Sequence, residues 1–336
     1  MKIGASTERM TDEAGIAVED TPPSTNHCGS VVEVRVPASA GNLGAGFDCF
    51  GLALQLYLTV RVTVDPQSMQ PFRMSSRGAG YGTTLSPTAD NLIFHALSFA
   101  AQKQGLTVPP ISIDVENEIP LGSGLGSSAA AIIAGIALCA ALCDRDISDD
   151  LVLRYATELE GHSDNVAASL LGGLVVTCRG QDGSVIAVRK YWPSDIRVIA
   201  VSPHATLETA RARAVLAPLV SHADAVHNLQ RAALFTAALE AHRYDLLWEA
   251  TRDRLHQERR ESLVPGLADA LATPRRPGLL GLALSGAGPS VLALARDHFD
   301  ELGMAIAECF HKHGLDSTVR LLDVDDLGRQ VKRLRW

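Results

Sequence analysis

Hydrophobic and polar positions alternate in some segments of the chain and repeat with a helical period in others. Residues 31–36 alternate with a period of two, and the apolar positions of 52–64 predict one long strand or two shorter ones. Helices are predicted over about 127–143, 149–159, 207–215, 222–241, 243–255 and 297–314, and another runs from a cap at 90–91 to Gln104. Further strands are predicted over 111–115, 174–177, 196–201 and 317–323.

The interleaving of these elements predicts a mixed α+β chain rather than a uniform β-α-β repeat. Its 336 residues suffice for about two domains, and we place the boundary before the strand at 196–201, giving domains of 31–190 and 191–336. Residues 1–30 hold few large apolar groups, so we expect a disordered leader without the apolar core of a secretory signal. The basic stretch 329–336 is expected to be the solvated face of a terminal helix.

Composition excludes several classes of function. Apolar residues make up 46% and charged residues 20%, as in a soluble globular enzyme. A net charge of −8 gives no electrostatic support for nucleic-acid binding, and no apolar run is long enough to predict a membrane span. The six cysteines form no Cys-x-x-Cys pair, which fits a reducing cytoplasm.

One polar loop carries the strongest chemical signal. Within 122–128 the chain has three glycines and three serines, and an Ala/Ile-rich helix follows at once. The first N–H groups of a helix lack intrahelical partners and the helix dipole favours negative charge there, so this junction predicts a phosphate site. The loop has no lysine for a Walker-type motif, and Ser127 stands where a dinucleotide fingerprint needs its third glycine. A tight turn without a ligand is the alternative.

Three other segments accompany this loop. They are Pro-Ala-Ser-Ala-Gly-Asn-Leu-Gly-Ala-Gly-Phe-Asp at 37–48, Glu-Gly-His-Ser-Asp-Asn-Val-Ala at 160–167 and Leu-Ser-Gly-Ala-Gly-Pro-Ser at 284–290. Together with the loop, and in this order, they resemble the motifs of the GHMP kinases. The Asn-Leu-Gly-x-Gly-Phe-Asp core of the first is similar to the homoserine kinase branch of that family. The resemblance spans about 31–330.

The resemblance implies both a fold and an activity. The fold is a two-domain α+β fold, with an N-terminal domain like that of a ribosomal protein that contains a left-handed β-α-β crossover, and a ferredoxin-like C-terminal domain. The activity is ATP-dependent phosphorylation of L-homoserine for threonine synthesis, by a protein that is commonly a homodimer. A GHMP kinase for another small alcohol, such as mevalonate or a sugar, and a non-catalytic ligand sensor are the alternatives.

The resemblance also assigns the nucleotide site. The triphosphate is expected at Pro120, Leu121, Gly122, Ser123, Gly124, Leu125, Gly126, Ser127 and Ser128. Mg²⁺ is expected between Ser128 and Glu158, with Glu160 as a surface carboxylate. Either glutamate offers the oxygen ligand that a hard cation needs.

For the acceptor, the resemblance implies a pocket of Asn42, Asp48, His162, Arg213, Arg260 and Gly288. Asp48 would pair with the ammonium group of an amino acid, and the two arginines would bind its carboxylate, because guanidinium groups suit bidentate pairing. We expect Asn165 to position the hydroxyl, with Asp164 as the alternative proton acceptor. Solvated helix charges are the other reading of the arginines.

Overall fold

The structure is a computed structural model that describes residues 31–65, 67–68, 72–79 and 91–334, so the expected leader 1–30 lies outside the described residues. The strands are β1 Val31–Gly41, β2 Phe50–Val64, β3 Phe72–Gly78, β4 Ile111–Asn117, β5 Leu174–Arg179, β6 Val185–Lys190, β7 Arg197–Pro203, β8 Leu279–Leu284, β9 Val291–Ala295, β10 Ser317–Leu322 and β11 Gln330–Leu334. The helices are α1 Leu92–Gln104, α2 Ser127–Leu142, α3 Asp149–Glu160, α4 Asp164–Leu171, α5 Thr209–Ala214, α6 His222–Glu240, α7 Leu247–Ala250, α8 Gln257–Arg260, α9 Leu267–Leu271 and α10 Phe299–His311.

The first sheet has seven strands built around β2. Strands β11, β1, β2, β4 and β3 follow in that order, while β5 also pairs with β2 and β6 with β5. The 15 residues of β2 reach both β4 and β5 because 58–64 pair with β4 and 50–52 with β5. Parallel β3 and β4 flank α1 in the chain, which forms the expected β-α-β unit.

Helix α2 is buried along most of its length between α1, β1 and α3. Its sequence is apolar on every side, as expected for a helix that is covered by protein all round. Gly135 lets α1 come close, since a Cβ there would overlap with the carbonyl oxygen of Ile93. This packing fixes the N-terminus of α2, and with it the glycine loop that precedes the helix.

The second sheet has the antiparallel order β10-β7-β9-β8. In the chain order of this sheet that is 4-1-3-2, with helices between the first and second strands and between the third and fourth, so the ferredoxin-like arrangement is confirmed. Among the described residues, no helix is long and apolar enough to cross a membrane.

Two expectations about secondary structure are wrong. The basic end of the chain is not a helix, because Gln330–Leu334 forms β11 and covers the edge of β1 in the first sheet. Residues after β10 therefore return to the sheet of the N-terminal half. The single helix expected over 243–255 ends at Ala250, because the Asp253 carboxylate accepts the backbone N–H groups of His256 and Gln257 and begins α8.

Candidate active site

A cavity of about 470 Å³ collects the motifs that are far apart in the sequence. It is lined by the whole of 120–128 and by Asn42, Asp48, His162, Asp164, Asn165, Arg213, Arg260 and Gly288. Of the residues expected at the site, Glu158 does not line the cavity.

The glycine loop lies directly against the last motif. Gly124 has a φ of 82°, and a Cβ there would lie 2.8 Å from the carbonyl oxygen of Gly288 and overlap with that of Ser285. The Ser285 hydroxyl donates to the Gly124 carbonyl over 2.7 Å, and the Ser290 N–H donates to the Ser123 carbonyl over 3.0 Å. The loop carbonyls thus bind the last motif, and the N-terminus of α2 follows immediately at Ser127. This arrangement has the donors and the dipole of an anion site.

Ser128 meets a different carboxylate from the expected one. Its hydroxyl donates to Glu160 Oε1 over 2.6 Å, and only 10% of the Glu160 side chain is exposed. Glu158 is 50% exposed and pairs with Lys103 over 2.8 Å. Residues two apart cannot share a helix face, so only one of the two glutamates at the end of α3 can face the cavity. The structure therefore does not bring Glu158 to Ser128, and the expectation that Glu160 is a surface carboxylate is wrong.

His162 and Asp164 form a close pair where α3 gives way to α4. His162 Nδ1 lies 2.6 Å from Asp164 Oδ1, and the same carboxylate oxygen accepts the N–H of Asn165 over 2.8 Å. Burial alone would lower the pKa of His162. The hydrogen bond to Asp164 and the charges of Asp164 and Glu160 outweigh burial, so the pKa of His162 is raised.

Asn165 is the polar residue of this site that still lacks a partner. Its Oδ1 is buried and accepts no hydrogen bond from the residues that the structure describes. An unsatisfied buried carbonyl is costly, so an atom of this kind in a cavity indicates a donor supplied by a ligand. Its place in the first turn of α4 keeps it beside Asp164.

The acidic residue of the first motif pairs with an arginine of α5. Arg213 Nη2 donates to Asp48 Oδ1 over 2.6 Å and Nη1 donates to Oδ2 over 3.0 Å. This bidentate contact raises the pKa of Arg213. Asn42, with a φ of 74°, holds the motif in place, because its side chain accepts the N–H of Asp48 and donates to the Gly286 carbonyl.

Arg260 is buried beneath this pair. Its Nε donates to the Ala212 carbonyl over 3.1 Å and its Nη1 to the Gly286 carbonyl over 2.9 Å. Burial, reinforced by the positive charge of Arg213, lowers its pKa to about 10. The group is still a cation at neutral pH. Two guanidinium groups and one carboxylate therefore share this end of the cavity.

Comparison with known proteins assigns the family. A model described as "GHMP kinases N terminal domain" matches residues 91–173, and one described as "GHMP kinases C terminal" matches 235–312. A homoserine kinase from Desulfitobacterium hafniense is 38% identical over 302 residues, which are 90% of this chain and 100% of that protein. One from Deinococcus radiodurans is 42% identical over 305 residues, or 90% and 97% of the two chains. The chain belongs to the homoserine kinases of the GHMP kinase family.

A solved homoserine kinase supports the same fold. The crystal structure of the protein from Cytophaga hutchinsonii matches with a TM-score of 0.79 at 27% identity, over 90% of this chain and 97% of that one. Membership of the GHMP kinases identifies ATP as the phosphate donor.

Some residues of this GHMP kinase cavity carried no signal in the sequence. Phe47 lies within the first motif, and its ring centroid is 5.7 Å from the guanidinium carbon of Arg213 and of Arg260. Leu207, Glu208 and Thr209 form another part of the wall. Their segment matches no motif, because their role comes only from where α5 begins.

Proposed function

We propose that this protein transfers the γ-phosphoryl group of ATP to the side-chain hydroxyl of L-homoserine, giving O-phospho-L-homoserine and ADP, a step toward threonine. The observation that carries the proposal is one cavity with a phosphate loop at one end and the Asp48–Arg213 pair at the other. The homoserine kinases that are similar over nearly the whole chain support it.

The charged end of the cavity fits a zwitterion. An α-amino acid brings one ammonium group for Asp48 and one carboxylate for Arg213 and Arg260, so both partners of the existing ion pair regain a counter-charge when it opens. A sugar offers neither charge and mevalonate offers only the carboxylate. Either would leave a charged group of the site unpaired, which is costly in a partly buried pocket.

A Mg²⁺ ion is part of the proposal. Ser128 and Glu160 place a hydroxyl and a carboxylate oxygen 2.6 Å apart at the head of α2, and these are ligands that Mg²⁺ accepts. Within the described residues, no cluster of three or more His, Cys, Asp or Glu side chains could form a complete protein cage. The ion would therefore be held by two protein oxygens together with phosphate and water, and when bound it would neutralise phosphate charge.

The residues at the start of α4 orient the acceptor. The unpartnered Asn165 Oδ1 is placed to accept the hydrogen bond of the hydroxyl and so to hold its oxygen in line. Asp164 receives a hydrogen bond from His162, which stabilises its ionised form and makes it a weak base. We therefore assign positioning to Asn165. In a loose transition state the hydroxyl proton can then leave with the transferred phosphoryl oxygens, while the loop amides stabilise their charge.

An ADP-release assay over a panel of alcohols tests this function. L-Homoserine, L-threonine, L-serine, mevalonate and galactose are supplied in turn with ATP and Mg²⁺. We expect kcat/KM for L-homoserine to exceed that for each of the others by roughly 100-fold or more. A preference for mevalonate or galactose would support the other-alcohol alternative, and no turnover with any alcohol would support the sensor.

The proposal includes a homodimer at work in the cytoplasm. Sedimentation of the purified protein tests the first part and cell fractionation tests the second.

A further inference from the structure

We propose that His256 is a positioning residue that fixes the guanidinium group of Arg260 for the carboxylate of the acceptor, without touching the substrate itself. The inference rests on the proposed function. The imidazole ring is fully buried, and His256 is not among the residues that line the cavity.

Both ring nitrogens of His256 are engaged. Nε2 lies 2.9 Å from the carbonyl oxygen of Gly44, and Nδ1 lies 3.2 Å from Nη1 of Arg260. A carbonyl can only accept a hydrogen bond and a guanidinium group can only donate one. The proton must therefore sit on Nε2, and Nδ1 must accept from Arg260. The two contacts together require one neutral tautomer.

The surroundings keep the ring neutral. Burial is the main cause of a lowered pKa for His256, and the charge of Arg260 lowers it further, although Asp253 and Asp48 oppose this. A second proton on the ring would place an N–H against the N–H of Arg260. It would also add a second cation in the same buried space.

The backbone of His256 is itself held firmly. The Asp253 carboxylate accepts the N–H of His256 over 2.9 Å, and it also accepts Asn228 Nδ2 over 2.7 Å. The ring stacks on Phe47 with centroids 5.1 Å apart. His256 thus ties Arg260 to the first motif at Gly44, the motif that also carries Asp48.

This link matters because the other contacts of Arg260 leave it room to move. Nε and Nη1 donate to the carbonyls of Ala212 and Gly286, which lie in two loosely structured segments beside the cavity. His256 supplies a third acceptor, from a ring that cannot rotate without losing Gly44. Removing that acceptor would let the guanidinium group turn, and binding of a carboxylate would weaken.

Two substitutions separate positioning from simple core filling. His256→Leu keeps an apolar side chain and removes both hydrogen bonds, whereas His256→Gln retains one acceptor and N–H donors. We expect the leucine variant to raise KM for L-homoserine, and its Kd by calorimetry, roughly 10- to 100-fold. KM for ATP and kcat should change less than about threefold, and the glutamine variant should recover most of the loss.

A matched core substitution serves as the control. Phe235→Leu removes part of another fully buried side chain and should lower stability without changing KM for L-homoserine. Equal increases in both KM values for His256→Leu, or an unchanged KM in a folded variant, would overturn the inference. If the unmodified protein binds and phosphorylates another alcohol instead, the proposed function fails as well.

A measurement on the unmodified protein does not depend on whether a variant folds. Nitrogen-15 NMR of histidine-labelled protein distinguishes the tautomers of a buried imidazole. We expect one histidine to keep a neutral ring protonated at Nε2 down to a pH well below 6.5, and its signals to be missing from the His256→Gln protein. A cationic ring or an Nδ1–H tautomer at neutral pH would contradict the inference.

Discussion

The two ends of the cavity are built from different materials. The phosphate end consists of backbone groups from one continuous segment, 120–128, whereas the acceptor end consists of side chains from four segments, including Asp48, Arg213 and Arg260. A backbone site depends on conformation, so a substitution there acts through sterics and folding. A side-chain site depends on charge, so a substitution there acts on one ligand and leaves the fold largely intact. The experiments that follow test this difference.

The largest effect is expected at the backbone end, from Gly124→Ala. The new methyl group would overlap with backbone atoms of the last motif while the residue is held at a positive φ. We expect a loss of stability of about 3 kcal/mol and near loss of ATP binding, measured by thermal unfolding and nucleotide titration.

Gly105→Ala is the matched control for that experiment. Gly105 also has a positive φ, of 63°, but a Cβ there meets no described atom within 4 Å. It should cost about 1 kcal/mol and leave ATP binding unchanged. Equal losses in the two variants would show that the loop is not held by its contact with the last motif.

Next in size is the contrast between the two glutamates of α3. Glu160→Gln keeps the shape but removes the charge beside Ser128, and we expect kcat to fall about 100-fold with a higher requirement for Mg²⁺. Glu158→Gln removes only an exposed pair with Lys103 and should leave kcat within about twofold. A metal titration of activity in both variants measures this. The reverse outcome would restore Glu158 as the metal ligand.

At the acceptor end we expect a selective effect on one substrate. Asp48→Asn and Arg213→Gln should each raise KM for L-homoserine roughly 10- to 100-fold, with KM for ATP nearly unchanged. Because the two side chains pair with each other, the double variant should cost less than the sum of the two losses. Strict additivity would indicate that the pair does not form in the free protein.

The smallest effect concerns pH. The pKa of His162 is raised above its ordinary value of 6.5, so its protonated form stabilises the fold fully below that value, and the contribution is lost as pH rises through the folded-state pKa. The stability difference between the unmodified protein and His162→Gln should therefore shrink between about pH 6 and pH 9. Denaturant unfolding at several pH values measures it, and a difference that grows with pH would contradict the raised pKa.

The same contrast explains what could be predicted from the sequence. The glycine loop and the start of α2 are local, so glycine and serine spacing predicted them within a residue. The acceptor residues Asp48, Arg213 and Arg260 were expected only through the resemblance to a family, because no local pattern shows that they meet. Their roles stay predictions.

The errors have physical reasons of the same kind. Glu158 and Glu160 differ only in which side of the last turn of α3 they occupy, and that is set by how the helix packs. The end of the chain became a strand because β1 offers a free edge, which no property of 329–336 itself reveals.

The most direct measurement of the central claim is a crystal structure with a non-hydrolysable ATP analogue, Mg²⁺ and L-homoserine. The account predicts phosphate oxygens at about 3 Å from the amides of 122–128, a metal ion between Ser128 and Glu160, and the acceptor carboxylate on Arg213 and Arg260. A nucleotide bound elsewhere, with the glycine loop unoccupied, would contradict it.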